Sequence, residues 1–142
     1  MPEGDDRHQP VDRQGLARIL RTALEFRMQN DVRGMLQQAT PDIVYRGDGW
    51  KNYRSMAPVR GKEACAQMIW AIFIEYENLG TVVHKSVFEA DRVAFRRTAT
   101  LRKRGTGKAA DVDICCFVRF QGDRIAEISE YFDTRRILEL DT

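Results

Sequence analysis

Two charged residues stand where two strands should be apolar. In the closing segment EISEYFDTRR, residues 127–136, which reads as a strand, counting back in twos from Phe132 gives Glu130, Ile128 and Ala126. A carboxylate therefore shares a face with apolar side chains. In the segment that starts at Arg92 the same count gives Val93, Phe95, Arg97, Ala99 and Leu101, so a guanidinium sits among apolar residues there too. A lone charge on a core-facing side is costly, so Arg97 and Glu130 are explained by each other or by a water-filled pocket that both line. Such a pair supports general acid or base work by the carboxylate, with the arginine holding it ionised or stabilising a developing oxyanion. The neighbouring cation lowers the carboxylate's pKa while burial raises it. The same two residues also suit a structural ion pair, and a β-bulge would shift the count by one.

Other candidate chemistry is sparse. Tyr45 and Asp48, before a long polar loop, are placed to line a pocket mouth or to serve as plain strand-end residues, and Tyr45 offers a hydroxyl donor. His84 lies on a strand whose two faces are both apolar, which fits a packed or surface histidine. Cys65, Cys115 and Cys116 show no CxxC spacing, and two strand neighbours point to opposite faces, so they cannot share a metal ion. They fit a reduced, intracellular chain. With two histidines far apart, no metal site is expected. The run RGTGK joins two strands and opens no helix, so it is no phosphate loop and no cofactor is expected.

The elements that position these residues follow from periodicity. From Asp12 the pattern is helical, with Leu16, Ile19, Leu20, Ala23, Leu24 and Phe26 on one side and Arg18, Arg21, Glu25 and Arg27 largely on the other. A short helical turn follows with Asp31 as a possible cap, ended by Thr40 and Pro41, and then a short strand, DIVYR. The loop GDGWKNYRSMAPVRG carries Trp50 and Tyr53, which suits either a mobile cover or an ordered loop with its rings tucked down. A second long helix is predicted from Lys62 to Asn78 with Gly80 as its stop. Four strands after Gly80, joined by EADR, GTGK and QGDR, predict an antiparallel meander. On its third strand Val112, Ile114, Cys116, Val118 and Phe120 face inward and Asp111, Asp113 and Arg119 outward. Helices first and strands afterwards make an α+β class.

The totals bound the rest. One domain of 142 residues is expected, with residues 1–12 as a flexible leader and 13–142 as the domain. The 23 basic and 21 acidic side chains alternate and leave a net charge of +2, which argues against nucleic acid as a partner. The start MPEGDDRHQPVD lacks an apolar segment, and the apolar run 68–74 is too short to span a bilayer, so a cytoplasmic location away from membranes is expected.

The order of these elements and the closing GDRIAEISEYFD resemble the SnoaL-like branch of the nuclear transport factor 2-like superfamily. The resemblance covers nearly the whole chain after the leader and is strongest from Arg97 onward. It implies a cone-shaped curved antiparallel sheet wrapped around the N-terminal helices, a cystatin-like α+β barrel open over a mostly apolar pocket. The family includes polyketide cyclases, ketosteroid isomerases, limonene epoxide hydrolases and pure binding domains. The hydrolases have an arginine, one residue and an aspartate where this chain has Arg97, Thr98 and Ala99, so half of their acid pair is missing here. The resemblance thus favours a cofactor-independent isomerase, cyclase or lyase type of enzyme over an epoxide hydrolase. Glu130 and Arg97 would be the catalytic residues, and Tyr45, Phe95, Leu101, Ile114, Ile128 and Phe132 would bind an apolar small-molecule ligand. The alternatives are a non-catalytic binding domain, or an interaction domain that forms a homodimer through the outward Cys115, Phe117 and Tyr131.

Overall fold

The computed structural model describes residues 12–53 and 55–142. Most of the expected leader lies outside the described residues. Asp12 begins them as the cap of α1 (Arg13–Met28), its carboxylate accepting a hydrogen bond from Gly15 N at 2.6 Å. That bond satisfies one of the orphaned N–H groups of the first turn. Asp31 does the same for α2 (Val32–Leu36) through Gly34 N at 2.9 Å. The apolar stripe of α1 turns inward through Leu16 and Ala23. Its last turn departs from the sequence-based assignment, because Arg27 is buried rather than on the solvent side.

The strand predicted as DIVYR is longer, β1 (Ala39–Asp48), so Thr40 and Pro41 lie within it and α2 ends before them at Leu36. Pro41 falls between Ala39 and Val44, where pairing with the neighbouring strand breaks register, so its missing N–H interrupts no ladder bond. A two-residue strand, β2 (Val59–Arg60), lies in the long loop and pairs with β1. The second long helix, α3 (Lys62–Glu75), stops earlier than predicted: Tyr76 is already extended and starts β3 (Tyr76–Glu89) with no turn between. Gly80 sits inside that strand beside a register shift instead of ending a helix.

β4 (Arg92–Lys103), β5 (Ala109–Gln121) and β6 (Arg124–Phe132) complete the expected meander. The closing segment is shorter as a strand than predicted, for Asp133 caps a final helix, α4 (Thr134–Asp141), which buries Ile137 and Leu140. The sheet order is β2-β1-β6-β5-β4-β3. The expected α+β cone is present with two differences. The sheet is mixed, because β1 runs parallel to β6, a pairing made possible by the long crossover through α3 and the meander. It is also open, since β2 and β3 lie at opposite edges and no barrel closes.

The inner-face assignments hold: Val93, Phe95, Ala99 and Leu101 on β4, Val112, Ile114, Cys116, Val118 and Phe120 on β5, and Ile128 and Phe132 on β6 are all buried. They pack against Ile69, Ile72 and Phe73 of α3 and Leu16 and Ala23 of α1 in one cluster. Burying each of the larger side chains stabilises the fold by about 2 kcal/mol. Ile125 and Ala126 are both buried because a bulge between Arg119 and Phe120 shifts the register of β5 against β6. The face count is unaffected at Glu130, which pairs with Cys116.

Candidate functional site

The two charges singled out above meet, and a third joins them. β6 carries Glu130 inward between Gly47 of β1 and Cys116 of β5, its register partners. β4 carries Arg97, whose Nη2 donates to Glu130 Oε2 at 2.9 Å. The last turn of α1 brings Arg27, whose Nη1 donates to Oε1 at 2.7 Å. Tyr45 of β1 donates its hydroxyl to the same Oε1 at 2.6 Å. The Cys116 thiol lies 3.8 Å from Oε2, and Arg97 Nη1 also reaches Thr81 Oγ1 at 3.3 Å. The Arg27 guanidinium lies over the Phe73 ring at 5.9 Å. None of the four principal residues is more than 3% exposed.

Burial alone would raise the Glu130 pKa, but the flanking Arg27 and Arg97 and the Tyr45 hydroxyl pull it down to about 2. Burial opposes the charge on Arg27, and contact with Glu130 more than restores it. Burial pushes the Tyr45 hydroxyl well above its ordinary value, and the adjacent carboxylate adds to that. The Cys116 thiol is likewise pushed up, to about 12, by burial and then by Glu130. At neutral pH the cluster therefore holds two guanidiniums, one carboxylate and two neutral groups, a surplus of one positive charge. Both carboxylate oxygens are occupied, so Glu130 is a fixed anion and a weak base.

Of the residues expected to bind a ligand, Tyr45 belongs to this cluster, and Leu101, Ile114, Ile128 and Phe132 are packed in the core. Phe95 borders a cavity of about 250 Å³ between α1 and the β3–β4 ribbon. Its other walls are Ala17, Leu20, Arg21, Leu24, Val83, Ser86 and Phe88. The cavity does not reach Glu130, but Phe95 and Arg97 are successive inward residues of β4, and Arg97 is the register partner of Val83. Asp48 is buried as a tie for the long loop, accepting from Met56 N at 2.7 Å and Ser55 Oγ at 3.5 Å. Of the two loop rings, Trp50 is tucked in at 2% exposure while Tyr53 stays at the surface. A Cβ at Gly47 would lie 2.9 Å from the Tyr45 hydroxyl and 3.1 Å from Trp50 Nε1, so glycine leaves the room both need. His84 is exposed and meets Thr98 Oγ1 at 2.7 Å, outside the cluster. Among the described residues, no three His, Cys, Asp or Glu side chains gather as metal ligands.

Sequence reasoning missed Arg27. A signal was present: Leu16, Leu20, Ala23 and Arg27 follow the i, i+4, i+7, i+11 rule of a single helical face. It was hidden by Arg18 and Arg21, which make a further arginine on α1 read as one more solvent-facing charge.

An open α+β cone that packs its sheet over the N-terminal helices is the fold of solved nuclear transport factor 2-like proteins. Within that class, the chain belongs to the SnoaL-like domain family, whose profile matches residues 13–128. Arg27, Tyr45 and Arg97 fall inside the match and Glu130 lies two residues beyond it. A protein of Jannaschia sp. CCS1, provisionally named a SnoaL-like polyketide cyclase, superposes with a TM-score of 0.76 at 19% identity, over 96% of this chain and 96% of its own. A Bacillus subtilis protein provisionally named an isomerase gives 0.78 at 14% identity, over 90% and 93%. A limonene-epoxide-hydrolase-like enzyme of Mycobacterium tuberculosis gives 0.69 at 17% identity, over 89% and 88%. At these identities the likeness is one of fold. No curated protein sequence matches the chain. Among the described residues, no helix is long and apolar enough to cross a membrane.

Proposed function

We propose that this SnoaL-like domain binds a small, mostly apolar molecule in the cavity beside Phe95, with the arginine–glutamate–arginine cluster as the polar end of the site. The observation that carries this reading is the carboxylate of Glu130, enclosed in an otherwise apolar interior and held by Arg27, Arg97 and Tyr45. Replacing such a triad by apolar residues of similar volume commonly leaves a fold as stable or more so, which makes its retention for packing alone a poor explanation. Glu130 fixes Arg97 in place, and Arg97 follows Phe95 as the next inward residue of β4. The direct test is a 15N–1H shift map with 2-naphthol as probe. Shifts centred on Leu24, Val83 and Phe95 support the site; shifts confined to the outer sheet face, or none, overturn it.

Acid–base catalysis, the isomerisation, cyclisation or dehydration suggested by the family resemblance, is a second reading favoured by the 2.6 Å hydrogen bond between Tyr45 and Glu130. It requires Arg27 or Tyr45 to withdraw when substrate binds, because a carboxylate with a pKa of about 2 takes up few protons near pH 7. Turnover of a substrate that survives in Glu130→Gln would end this second reading. We also propose a homodimer through the outer sheet face. Phe117 and Tyr131 stack edge-on there with ring centres 5.9 Å apart, and Glu89, Arg92, Arg119 and Glu127 offer both signs for pairing with a second copy. A monomer by light scattering at all concentrations would contradict it.

A further inference from the structure

We infer that the outer side of α3 is a contact surface for a second copy of this chain, the two α3 helices packing antiparallel about Trp70. It does not rest on the outer sheet face: α3 turns Cys65, Ile69, Ile72 and Phe73 into the core, so its outward stripe looks away from the sheet. That stripe is Glu63, Gln67, Trp70 and Ile74, spaced i, i+4, i+7, i+11. Its two apolar members are open to solvent, Trp70 at 51% and Ile74 at 58% exposure. A helix that is apolar on both sides belongs in an interior, and in a single copy α3 has only one such side covered. Trp70 stands edge-on to Phe73 with ring centres 6.1 Å apart, so the ring is already set as an anchor.

Two hollows flank Trp70 and share Asn30 with it, which makes one trough along the helix. Val32 and Ala66 line the first hollow, Phe73 and Ile74 the second. From Glu63 to Ile74 the helix rises about 16 Å, a length that about three turns of a second helix would cover. The charges select that helix. At the N-terminal end of α3 the walls carry Asp31 and Glu63 against Arg33, a surplus of one negative charge. At the C-terminal end they carry Arg104, whose Nε donates to the Phe73 carbonyl at 3.0 Å, while nearby Glu75 is occupied by Lys103 at 2.9 Å. An acidic end, an apolar middle and a basic end match the same surface turned by a two-fold axis through Trp70. Glu63 then meets Arg104 of the partner subunit, and Trp70 packs against Ile74 of the partner subunit.

The test is sedimentation velocity over a wide concentration range on the wild type, Trp70→Glu, Glu63→Arg, the double variant Glu63→Arg with Arg104→Glu and, for the outer sheet face, Phe117→Lys. Each variant replaces an exposed side chain and is first checked for a native circular-dichroism spectrum. The wild type should self-associate, and Trp70→Glu and Glu63→Arg should each weaken that association at least about tenfold. The double variant, which exchanges the two charges, should return to within about threefold of the wild type. If Phe117→Lys dissociates the assembly and Trp70→Glu associates as the wild type does, the α3 inference falls and the sheet-face dimer stands. If Trp70→Glu weakens association and Phe117→Lys does not, the α3 contact stands and the sheet-face dimer falls. A double variant that associates no more tightly than Glu63→Arg overturns the antiparallel pairing about Trp70. A wild type that stays monomeric at every concentration leaves the trough to another partner and overturns both.

Discussion

Two carboxylates in this fold gather the same kinds of partner: Glu130 takes Tyr45, Arg27 and Arg97, while Asp141 at the end of α4 takes Tyr53 and Tyr76, both at 2.7 Å, and Lys103 at 3.2 Å. Both have a lowered pKa because the donors and cations outweigh burial. They differ in water and in the sign of the surplus. The Asp141 side chain keeps 20% of its exposure, and Lys103 is shared with Glu75 at 2.9 Å, so that cluster has one negative charge too many. Solvent screens that excess. The Glu130 cluster is dry and has one positive charge too many. Similar kinds of partner therefore make a surface latch in one place, tying loop and C-terminal helix to the sheet edge, and a dry, charged interior in the other.

The sharpest break in this comparison is Glu130→Gln, which leaves two guanidiniums facing each other in the core. It should lower the unfolding free energy by about 4 kcal/mol in a urea titration, whereas Asp141→Asn should cost about 1 kcal/mol or less. Arg27→Met, which leaves a balanced Arg97–Glu130 pair, should cost clearly less than Glu130→Gln. Equal costs for those two variants would contradict the surplus-charge account.

Acid should separate the clusters next. The folded pKa of Glu130, about 2, lies below its ordinary value of 4.5, so its contribution is fully present above about pH 4.5 and is lost as pH falls toward 2. About 3 kcal/mol of stability should disappear across that window, at about 1.4 kcal/mol per pKa unit. Asp141 shifts the same way, but its exposure leaves it a smaller share. Chemical unfolding at a series of pH values measures the sum, and a curve flat down to pH 2 would refute it.

The tyrosines give the smallest contrast. Tyr45→Phe removes a buried hydrogen bond to an ion and should cost about 2 kcal/mol, while Tyr53→Phe removes an exposed one and should cost far less. Matching losses in thermal unfolding would erase the distinction between the two regions.

These contrasts also mark what the sequence could and could not disclose. Period-2 counting found the inner faces of β4, β5 and β6, because that of β5 is free of charge and those of β4 and β6 are apolar except for a single charge each, and it thereby found Arg97 and Glu130. It failed at α4, where DTRRILEL is short and rich in charge, though Asp133 followed by Ile137 and Leu140 is a cap and a stripe. It overran α3 because Tyr76 fits a helix face and a strand equally, and tertiary pairing with β4 decides between them. The parallel pairing of β1 with β6 leaves no mark in local composition. Arg27 reached the cluster only through the packing of α1 across the sheet. The cavity beside Phe95 depends on where α1 meets the bulged part of β3, which periodicity does not encode.

The most direct test of the account is a 13C NMR titration of the Glu130 side-chain carboxyl in the folded protein. A carboxyl clamped by Arg27, Arg97 and Tyr45 should stay ionised and show no titration above about pH 4, with its midpoint near 2. A midpoint between about 5 and 7, the range suited to a general acid or base, would show that the arginines do not hold it, and the fixed-anion account would fail.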